Sequence, residues 1–117
     1  MTDRRPKLLH DIRNCGLAIQ AFVQGRTRAD YEQNLMFRSA VERQFEIIGE
    51  ATRRLTVVDA AFAARIDQSS DIISFRNMIA HGYDVLDNSI VWGVIEDDLP
   101  RLITSVNTLL AELEPKP

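Results

Sequence analysis

The chain of 117 residues is poor in the residues that build loops and covalent cross-links. It contains one cysteine, five glycines and four prolines. A single cysteine excludes an internal disulfide framework and fits a reducing compartment. So little glycine and proline excludes a collagen-like, loop-rich or disordered chain. At this length folding buries roughly two-thirds of the surface, which predicts one hydrophobic core and a single domain over residues 1–117.

Patterns for metal binding and membrane insertion are also missing. The sequence has no CxxC pair and no cluster of histidine and cysteine, which argues against a structural zinc site. The longest run without charge, residues 14–25, has 12 residues, whereas a membrane helix needs about 20. Charged residues interrupt the segment behind the basic N-terminus, so a signal peptide is not predicted. The sequence therefore predicts a soluble cytoplasmic protein.

The net charge is small, and the charges are unevenly distributed along the chain. The net charge of −3 argues against a generic DNA coat or a polybasic membrane binder. Residues 1–58 carry 10 basic and 7 acidic groups, whereas residues 59–117 carry 4 and 10. Of the 14 basic residues 12 are arginine, whose planar fork suits phosphate or carboxylate, although genomic base composition can produce the same excess.

What the sequence does contain is apolar residues at helical spacing through almost its whole length. The first helix is predicted over about residues 6–24, with Asp3 as a possible cap and Gly25 as its end. Its apolar stripe comprises Leu8, Ile12, Cys15, Ile19 and Phe22. Because the neighbours of Cys15 are apolar, we expect a buried thiol that packs rather than reacts.

The second long helix has the clearest pattern. Its apolar stripe consists of Phe37, Val41, Phe45, Ile48, Thr52 and Leu55. A polar linker before it leads into a short helical turn around Tyr31. After it, Asp59 is expected to cap a short helix over residues 60–66.

Two further helices complete the predicted fold. Asp71 or Ser70 begins a third core helix, which Gly82 is expected to end. Asp87 or Asn88 opens the last helix, in which Pro100 should produce a kink because proline lacks an amide donor and crowds the preceding turn. The last stripe runs through Ile90 or Val91, Val94 or Ile95, Leu99, Leu102, Val106, Leu109 and Leu113. No segment alternates with period two, so the predicted fold is all-α, an up-down bundle of four to five helices.

One segment, residues 74–84, combines residue types that suggest chemistry. Arg76 and His81 are five positions apart, about 140° around an ideal helix, but the length of arginine and a helix end near Gly82 can bring both to one pocket. Arginine binds phosphate through two hydrogen bonds and stabilises developing charge. Histidine exchanges a proton near neutral pH, and Asn77 can orient either partner. These groups suit metal-free cleavage of RNA by its own 2′-hydroxyl.

More ordinary roles remain open for every one of these residues. Arg76 can pair with an acidic neighbour, and His81 can cap a helix end. On the second helix, Arg43, Glu46 and Glu50 lie on adjoining turns. They can support the site or form a solvated ion-pair face. Two aromatic residues, Phe75 and Trp92, suit the core or an interface better than base stacking.

The segment Arg76-Asn77-Met-Ile-Ala-His81-Gly82-Tyr83 resembles the R-N-x-x-x-H-x-Y signature of HEPN domains, in particular the HepT-like toxin branch. Residues 41–55 resemble the long second helix of that branch. Residues 89–100 resemble its closing helix, including the internal proline. The resemblance extends from about residue 8 to residue 113. It implies an all-helical homodimer that is encoded beside a minimal nucleotidyltransferase antitoxin and has a cleft at the dimer interface.

The resemblance also implies roles for individual residues. Arg76 would bind the scissile phosphate, His81 would act as general acid or base, and Asn77 would support their geometry. The partner enzyme would nucleotidylate Tyr83 and thereby block RNA by charge and bulk. The implied function is the toxin of a toxin–antitoxin system (type VII if silenced by modification, type II in older usage), a metal-independent endoribonuclease.

No cofactor is expected for this chain, since it has neither a glycine-rich phosphate loop nor a carboxylate cluster typical of a metal site. The alternative is a non-catalytic helical partner that presents nucleotide or substrate to a nucleotidyltransferase. A purely structural helical dimer is a third reading.

Overall fold

The computed structural model describes residues 2–67, 69–81 and 87–114, without the side chains of residues 69, 70, 80 and 81. The regular structure of this part of the chain is helical throughout and includes no strand, which confirms the all-α prediction. The helices are α1 (Arg5–Val23), α2 (Arg28–Gln33), α3 (Leu35–Val58), α4 (Ala60–Ala63), α5 (Ser69–His81), α6 (Asn88–Gly93), a π-helical segment (Val94–Asp98) and α7 (Leu99–Leu113). The predicted end of α5 at Gly82 lies outside the described residues.

Helix α3 is the centre of the fold and packs against α1, α5, α4 and α2. All six residues of its predicted stripe are buried. Asn34 caps the helix by accepting the N–H of Phe37 at 3.0 Å. The hydroxyl of Thr52, the polar member of the stripe, is fully buried and donates to the carbonyl of Ile48 at 2.7 Å. Helices α1 and α5 are therefore placed directly relative to α3, whereas α7 packs against α1.

Helix α1 begins and ends as predicted, but its core face is rotated. Asp3 accepts the backbone N–H of Arg5 at 3.0 Å, and Gly25 follows the helix with a left-handed φ of 73°. The prediction that Phe22 faces the core is wrong, since 37% of its surface is exposed. Leu8, Cys15 and Phe22 recur every seven residues, and such a row drifts by about 20° per heptad on a straight helix, so Phe22 leaves the core face. The stripe residues Ile12 and Ile19 remain fully buried.

The same drift affects Cys15, which is half-buried rather than buried as predicted. Its side chain packs against the edge of the core. This partial burial raises the pKa of the Cys15 thiol, and the nearby carboxylate of Asp11 adds to the effect. The residue that takes the central position on α1 is Gly16, which lies beside Ile103 of α7.

The short helices have the caps that the sequence indicates. Thr27 and Asp30 form a reciprocal capping box at the start of α2. This places Tyr31 in the core, with its ring centroid 5.8 Å from that of Trp92, so Trp92 is a core residue. Asp59 caps α4 by accepting the N–H of Phe62 at 3.0 Å. Helix α4 ends at Ala63, three residues earlier than predicted.

The closing helix departs from α-helical geometry just before Pro100. Asp87 caps α6 by accepting the N–H of Ser89 at 2.8 Å, and the π-helical segment then leads into α7 with Pro100 in its first turn. Proline has no N–H to donate and crowds the carbonyl four residues earlier, which the wider π-helical turn accommodates. Of the two positions that the sequence left open, Val91 is buried rather than Ile90, which is exposed. Ile95 is buried, whereas Val94 is only partly buried.

None of the helices in the described ranges combines the length and hydropathy that crossing a bilayer requires.

Candidate functional site

The site is organised by the contact between α3 and α5, where Gly49 lies against Arg76. A methyl group built on Gly49 would overlap Cβ and Cγ of Arg76. The two helices approach closely here only because residue 49 has no side chain. The aliphatic part of the Arg76 side chain is thus held against the backbone of α3, which fixes the position from which the guanidinium extends.

The guanidinium of Arg76 has polar neighbours on both helices. One terminal nitrogen donates to Oδ1 of Asn77 at 3.1 Å, and the other lies 3.9 Å from Oε2 of Glu50. The Nε atom is buried and has no hydrogen-bond partner among the described residues. Because 31% of the side chain is exposed and the ion pair is long, the terminal nitrogens can still bind an incoming anion.

Glu50 gathers three arginines around one carboxylate. Arg53 donates to it at 2.7 and 3.2 Å, Arg54 donates at 3.2 Å, and Arg76 is the third cation. The hydrogen bonds from Arg53, supported by the one from Arg54, lower the pKa of Glu50 to about 2. Glu50 is therefore ionised at neutral pH and holds the cations together while leaving this cluster with more positive than negative charge.

Arg43 and Glu46 complete the same pocket one turn earlier on α3. They form an ion pair at 3.5 Å, in which the side chain of Arg43 is 67% exposed. A cavity of about 240 Å³ between α1, α3 and α5 is lined by Arg43, Glu46, Glu50 and Arg76 together with Leu8, Asp11, Ile47, Ala51 and Arg54. The structure therefore brings the predicted support residues of α3 to Arg76, and it also pairs them in the solvated manner that the alternative describes.

Of the other predicted site residues, Asn77 is fully described, only the backbone of His81 is described, and Tyr83 is not described. Asn77 lies beside Arg76 on the exposed surface of α5. His81 is the last residue of α5, about 7.5 Å further along the helix axis than Arg76, and its side chain is outside the described part of the chain. Tyr83 lies outside the described residues.

Sequence reasoning missed Gly49, Asp11 and Arg54. A glycine in the middle of a helix costs about 1 kcal/mol relative to alanine, so Gly49 itself was a signal that another element comes close. Asp11 and Arg54 gave no such signal, because charged residues on exposed helix faces are ordinary. Their assignment to the pocket depends on how α1 packs against α3.

The pocket can bind and stabilise an anion. It offers a rigidly placed guanidinium on one helix and a cluster of arginines on another, and such donors are effective where negative charge develops on a phosphate. Within residues 2–67, 69–81 and 87–114, no three histidine, cysteine, aspartate or glutamate side chains are grouped so that they could hold a metal ion.

The helical bundle and the R-N-x-x-x-H-x-Y segment that starts at Arg76 define the class of this protein, a HEPN-type domain. The model of the protein family described as "Ribonuclease HepT-like" matches residues 12–109 of the chain. The chain belongs to the HepT-like ribonuclease family.

Three named proteins are similar to the chain. "Putative RNase MJ1380" of Methanocaldococcus jannaschii is 27% identical over 96 residues, which cover 80% of this chain and 85% of that protein. "Putative RNase TTE0752" of Caldanaerobacter subterraneus subsp. tengcongensis is 27% identical over 110 residues, covering 94% and 96%.

The third relative, "Gamma-glutamylcyclotransferase and putative RNase MJ0434" of Methanocaldococcus jannaschii, is 24% identical over 98 residues. These residues cover 82% of this chain but only 43% of the relative, so the chain spans less than half of that protein. No solved structure matches the chain significantly.

Proposed function

We propose that the chain is the toxin of a toxin–antitoxin pair and that it cleaves RNA without a metal ion, using Arg76 and His81. The observation that carries the proposal is the placement of Arg76, held against Gly49 with its terminal nitrogens beside Glu50 and Asn77. A long cationic side chain supported in this way is suited to a phosphate. Membership of the HepT-like ribonuclease family and the names of the relatives support RNA as the polymer that carries this phosphate.

The proposed reaction is a transesterification followed by release of two RNA ends. The ribose 2′-oxygen loses its proton and forms a bond to the adjacent phosphorus, while the bond from phosphorus to the 5′-oxygen breaks. The products are a 2′,3′-cyclic phosphate and a 5′-hydroxyl, which takes up a proton. Arg76 stabilises the charge on the non-bridging oxygens, and His81 transfers a proton as general acid or base.

The proposal includes a homodimer in which the cleft lies between two copies of the chain. Two Arg76 side chains would then contribute to one RNA-binding region, and the acidic character of the whole chain would matter less than the field inside the cleft. The molar mass of the purified protein in solution, measured by light scattering, tests this part of the proposal.

The decisive experiment compares the two histidines of the chain. Purified wild type should cleave single-stranded RNA in the presence of EDTA and leave cyclic-phosphate ends. His81→Ala should reduce cleavage by a factor of roughly 10²–10⁴, the usual contribution of a general acid or base. His10→Ala is the matched control, because His10 contacts Glu114 and Arg13 at 2.8 and 3.0 Å and does not line the Arg76 pocket.

Unchanged cleavage by His81→Ala would refute the catalytic assignment. Loss of cleavage by both histidine variants, with their helical circular dichroism intact, would also refute it. If wild type cleaves no RNA but binds nucleotide and the nucleotidyltransferase tightly, the chain is the non-catalytic partner instead.

The regulatory part of the proposal concerns Tyr83. A cognate nucleotidyltransferase with Mg²⁺ and ATP should add AMP to wild type and silence it, since the added phosphates repel RNA. Tyr83→Phe should remain unmodified. Tyr31→Phe is the control and should still be modified, because Tyr31 is fully buried and inaccessible to an enzyme. Equal incorporation of AMP into Tyr83→Phe would refute the assignment of this site.

A further inference from the structure

The Arg76 pocket continues into a second cavity along the packed helices α1 and α3. The second cavity has a volume of about 600 Å³ and lies between the beginning of α1 and the end of α3. Leu8, Asp11 and Arg54 line both cavities, so the two form one surface depression, the α1–α3 groove. From Arg43 to Val58 the groove follows α3 for about 22 Å, far more than one phosphate needs.

The charge of the α1–α3 groove is opposite to that of the chain. Its cationic residues within the described ranges are Arg4, Lys7, Arg43, Arg53, Arg54 and Arg76, and its anionic residues are Asp3, Asp11, Glu46 and Glu50. The whole chain has 14 basic and 17 acidic residues. An acidic protein therefore carries a net positive charge along this depression beside Arg76.

The carboxylates of the groove hold its cations in place. Asp11 contacts Nζ of Lys7 at 2.7 Å, just as Glu50 contacts Arg53 and Arg54. These contacts are on exposed side chains and are individually weak, so the cations can exchange a carboxylate for a phosphate at little cost. A side chain already held near its final position also loses less entropy on binding.

Two features at the end of the groove that is remote from Arg76 also favour the binding of a phosphate chain. Helix α1 begins there with 19 residues behind it, so its N-terminal partial positive charge adds to that of Arg4 and Lys7. Val57 and Val58 line the same end and are 77% and 44% exposed, which provides an apolar surface beside the cations. A sugar–phosphate chain presents both kinds of partner, charge on its phosphates and apolar faces on its sugars and bases.

We propose that the α1–α3 groove binds the phosphate backbone of the single-stranded RNA on one side of the cleaved bond. This inference rests on the proposed function and extends it. It assigns Arg53 and Arg54 to phosphates next to the one at Arg76, and Arg4 and Lys7 to phosphates further along the strand. The charged contacts are with phosphates, and an apolar surface accepts the face of any base, so the groove adds affinity without adding a preference for any base.

The test uses an RNA that cannot be cleaved. A 2′-O-methylated single strand has no attacking hydroxyl, and its binding is measured by fluorescence anisotropy at several salt concentrations. The slope of log K against log salt should be less steep by about 1.4 in the double variant Arg4→Gln/Lys7→Gln, since each lost phosphate contact on a single strand removes about 0.7.

The control is the double variant Arg28→Gln/Arg65→Gln, which removes the same charge from surface ion pairs outside the groove. Its salt slope should equal that of wild type. Equal slopes for all three proteins would overturn the groove assignment. So would equal reductions in both double variants, because the effect would then come from net charge.

Cleavage assays separate this inference from the proposed function. With a cleavable long RNA, Arg4→Gln/Lys7→Gln should reduce kcat/KM, whereas cleavage of a dinucleotide, too short to reach the far end of the groove, should be unchanged. Absence of any cleavage together with a groove-specific salt slope would refute the ribonuclease and support the groove. Normal cleavage of both substrates by the groove variant would support the ribonuclease and refute the groove.

Discussion

The Cα atom of Gly49 on α3 faces the side-chain stem of Arg76 on α5 with no room for a methyl group between them. The candidate catalytic arginine is therefore positioned by the absence of a side chain on the neighbouring helix. One turn of α3 carries both this glycine and Glu50, so the element that admits Arg76 also supplies its nearest carboxylate.

This contact predicts that Gly49→Ala destabilises the protein. Overpacking of a close helix contact costs about 1–3 kcal/mol. The gain of about 0.8–1 kcal/mol that alanine brings over glycine inside a helix offsets only part of this. We expect a lower free energy of unfolding in urea and a loss of RNA cleavage, since Arg76 must move.

Gly93→Ala is the matched control for that substitution. Gly93 has a right-handed helical backbone with φ −61° and ψ −40°, and nothing lies within 4 Å of a methyl group at this position. Alanine should therefore raise the free energy of unfolding, by up to about 1 kcal/mol. A stabilising effect of both substitutions would show that α3 and α5 are not in close contact at Gly49.

The carboxylate of Glu50 predicts how stability depends on pH. Because its pKa falls to about 2 in the folded protein, from an ordinary value of 4.5, folding favours the ionised form. This contribution is complete above about pH 4.5 and is lost as the pH falls towards 2. The difference in unfolding free energy between wild type and Glu50→Gln should therefore shrink over this range. A difference that stays constant from pH 7 to pH 2.5 would contradict the assignment.

The hydroxyl of Tyr31 predicts a stabilising substitution. The residue is fully buried, burial raises its pKa, and its oxygen has no hydrogen-bond partner among the described residues. Tyr31→Phe removes a buried polar group that gains nothing in return, so the free energy of unfolding should rise by about 1 kcal/mol. Thr52→Val is the contrast, because its buried hydroxyl does donate to Ile48 and its removal should cost about 0.5–1.5 kcal/mol.

The contacts of the Asp59 carboxylate predict that this residue stabilises the junction between α3 and α4. It accepts the N–H of Phe62 as a helix cap and also lies 3.5 Å from the guanidinium of Arg5. Asp59→Ala should cost about 1 kcal/mol, the usual loss for an N-cap. Asp59→Asn keeps the cap and removes the charge, so thermal unfolding of the two variants separates these roles. An equal loss in both would assign the effect to Arg5 instead.

Local patterns in the sequence were sufficient for most of the fold. The caps at Asp59 and Asp87 and the buried face of α3 are encoded within a few residues of where they act. The prediction for α1 was less accurate, with Phe22 exposed and Cys15 half-buried, because a stripe with a period of 3.5 residues cannot follow a straight helix of 3.6 residues per turn.

The site was only partly visible in the sequence. The linear R-N-x-x-x-H-x-Y signature indicated Arg76, His81 and Tyr83 as candidate site residues. Helical spacing indicated that Arg43, Glu46 and Glu50 lie on adjoining turns of one helix. The proximity of Arg76 to Glu50 joins two helices, so it depends on how closely they pack. Arg54 and Asp11 belong to the same pocket for the same reason.

The sequence by itself determined an all-α chain of the HepT-like family, because helix periodicity, caps and a linear signature are all local properties. Only the tertiary structure decided that Gly49 admits Arg76 to the surface of α3 and that Glu50 gathers three arginines. Only the tertiary structure revealed a positively charged groove on an acidic protein. Distances between helices depend on the packing of whole faces, and the sum of charges along a chain contains no information about which of them share a surface.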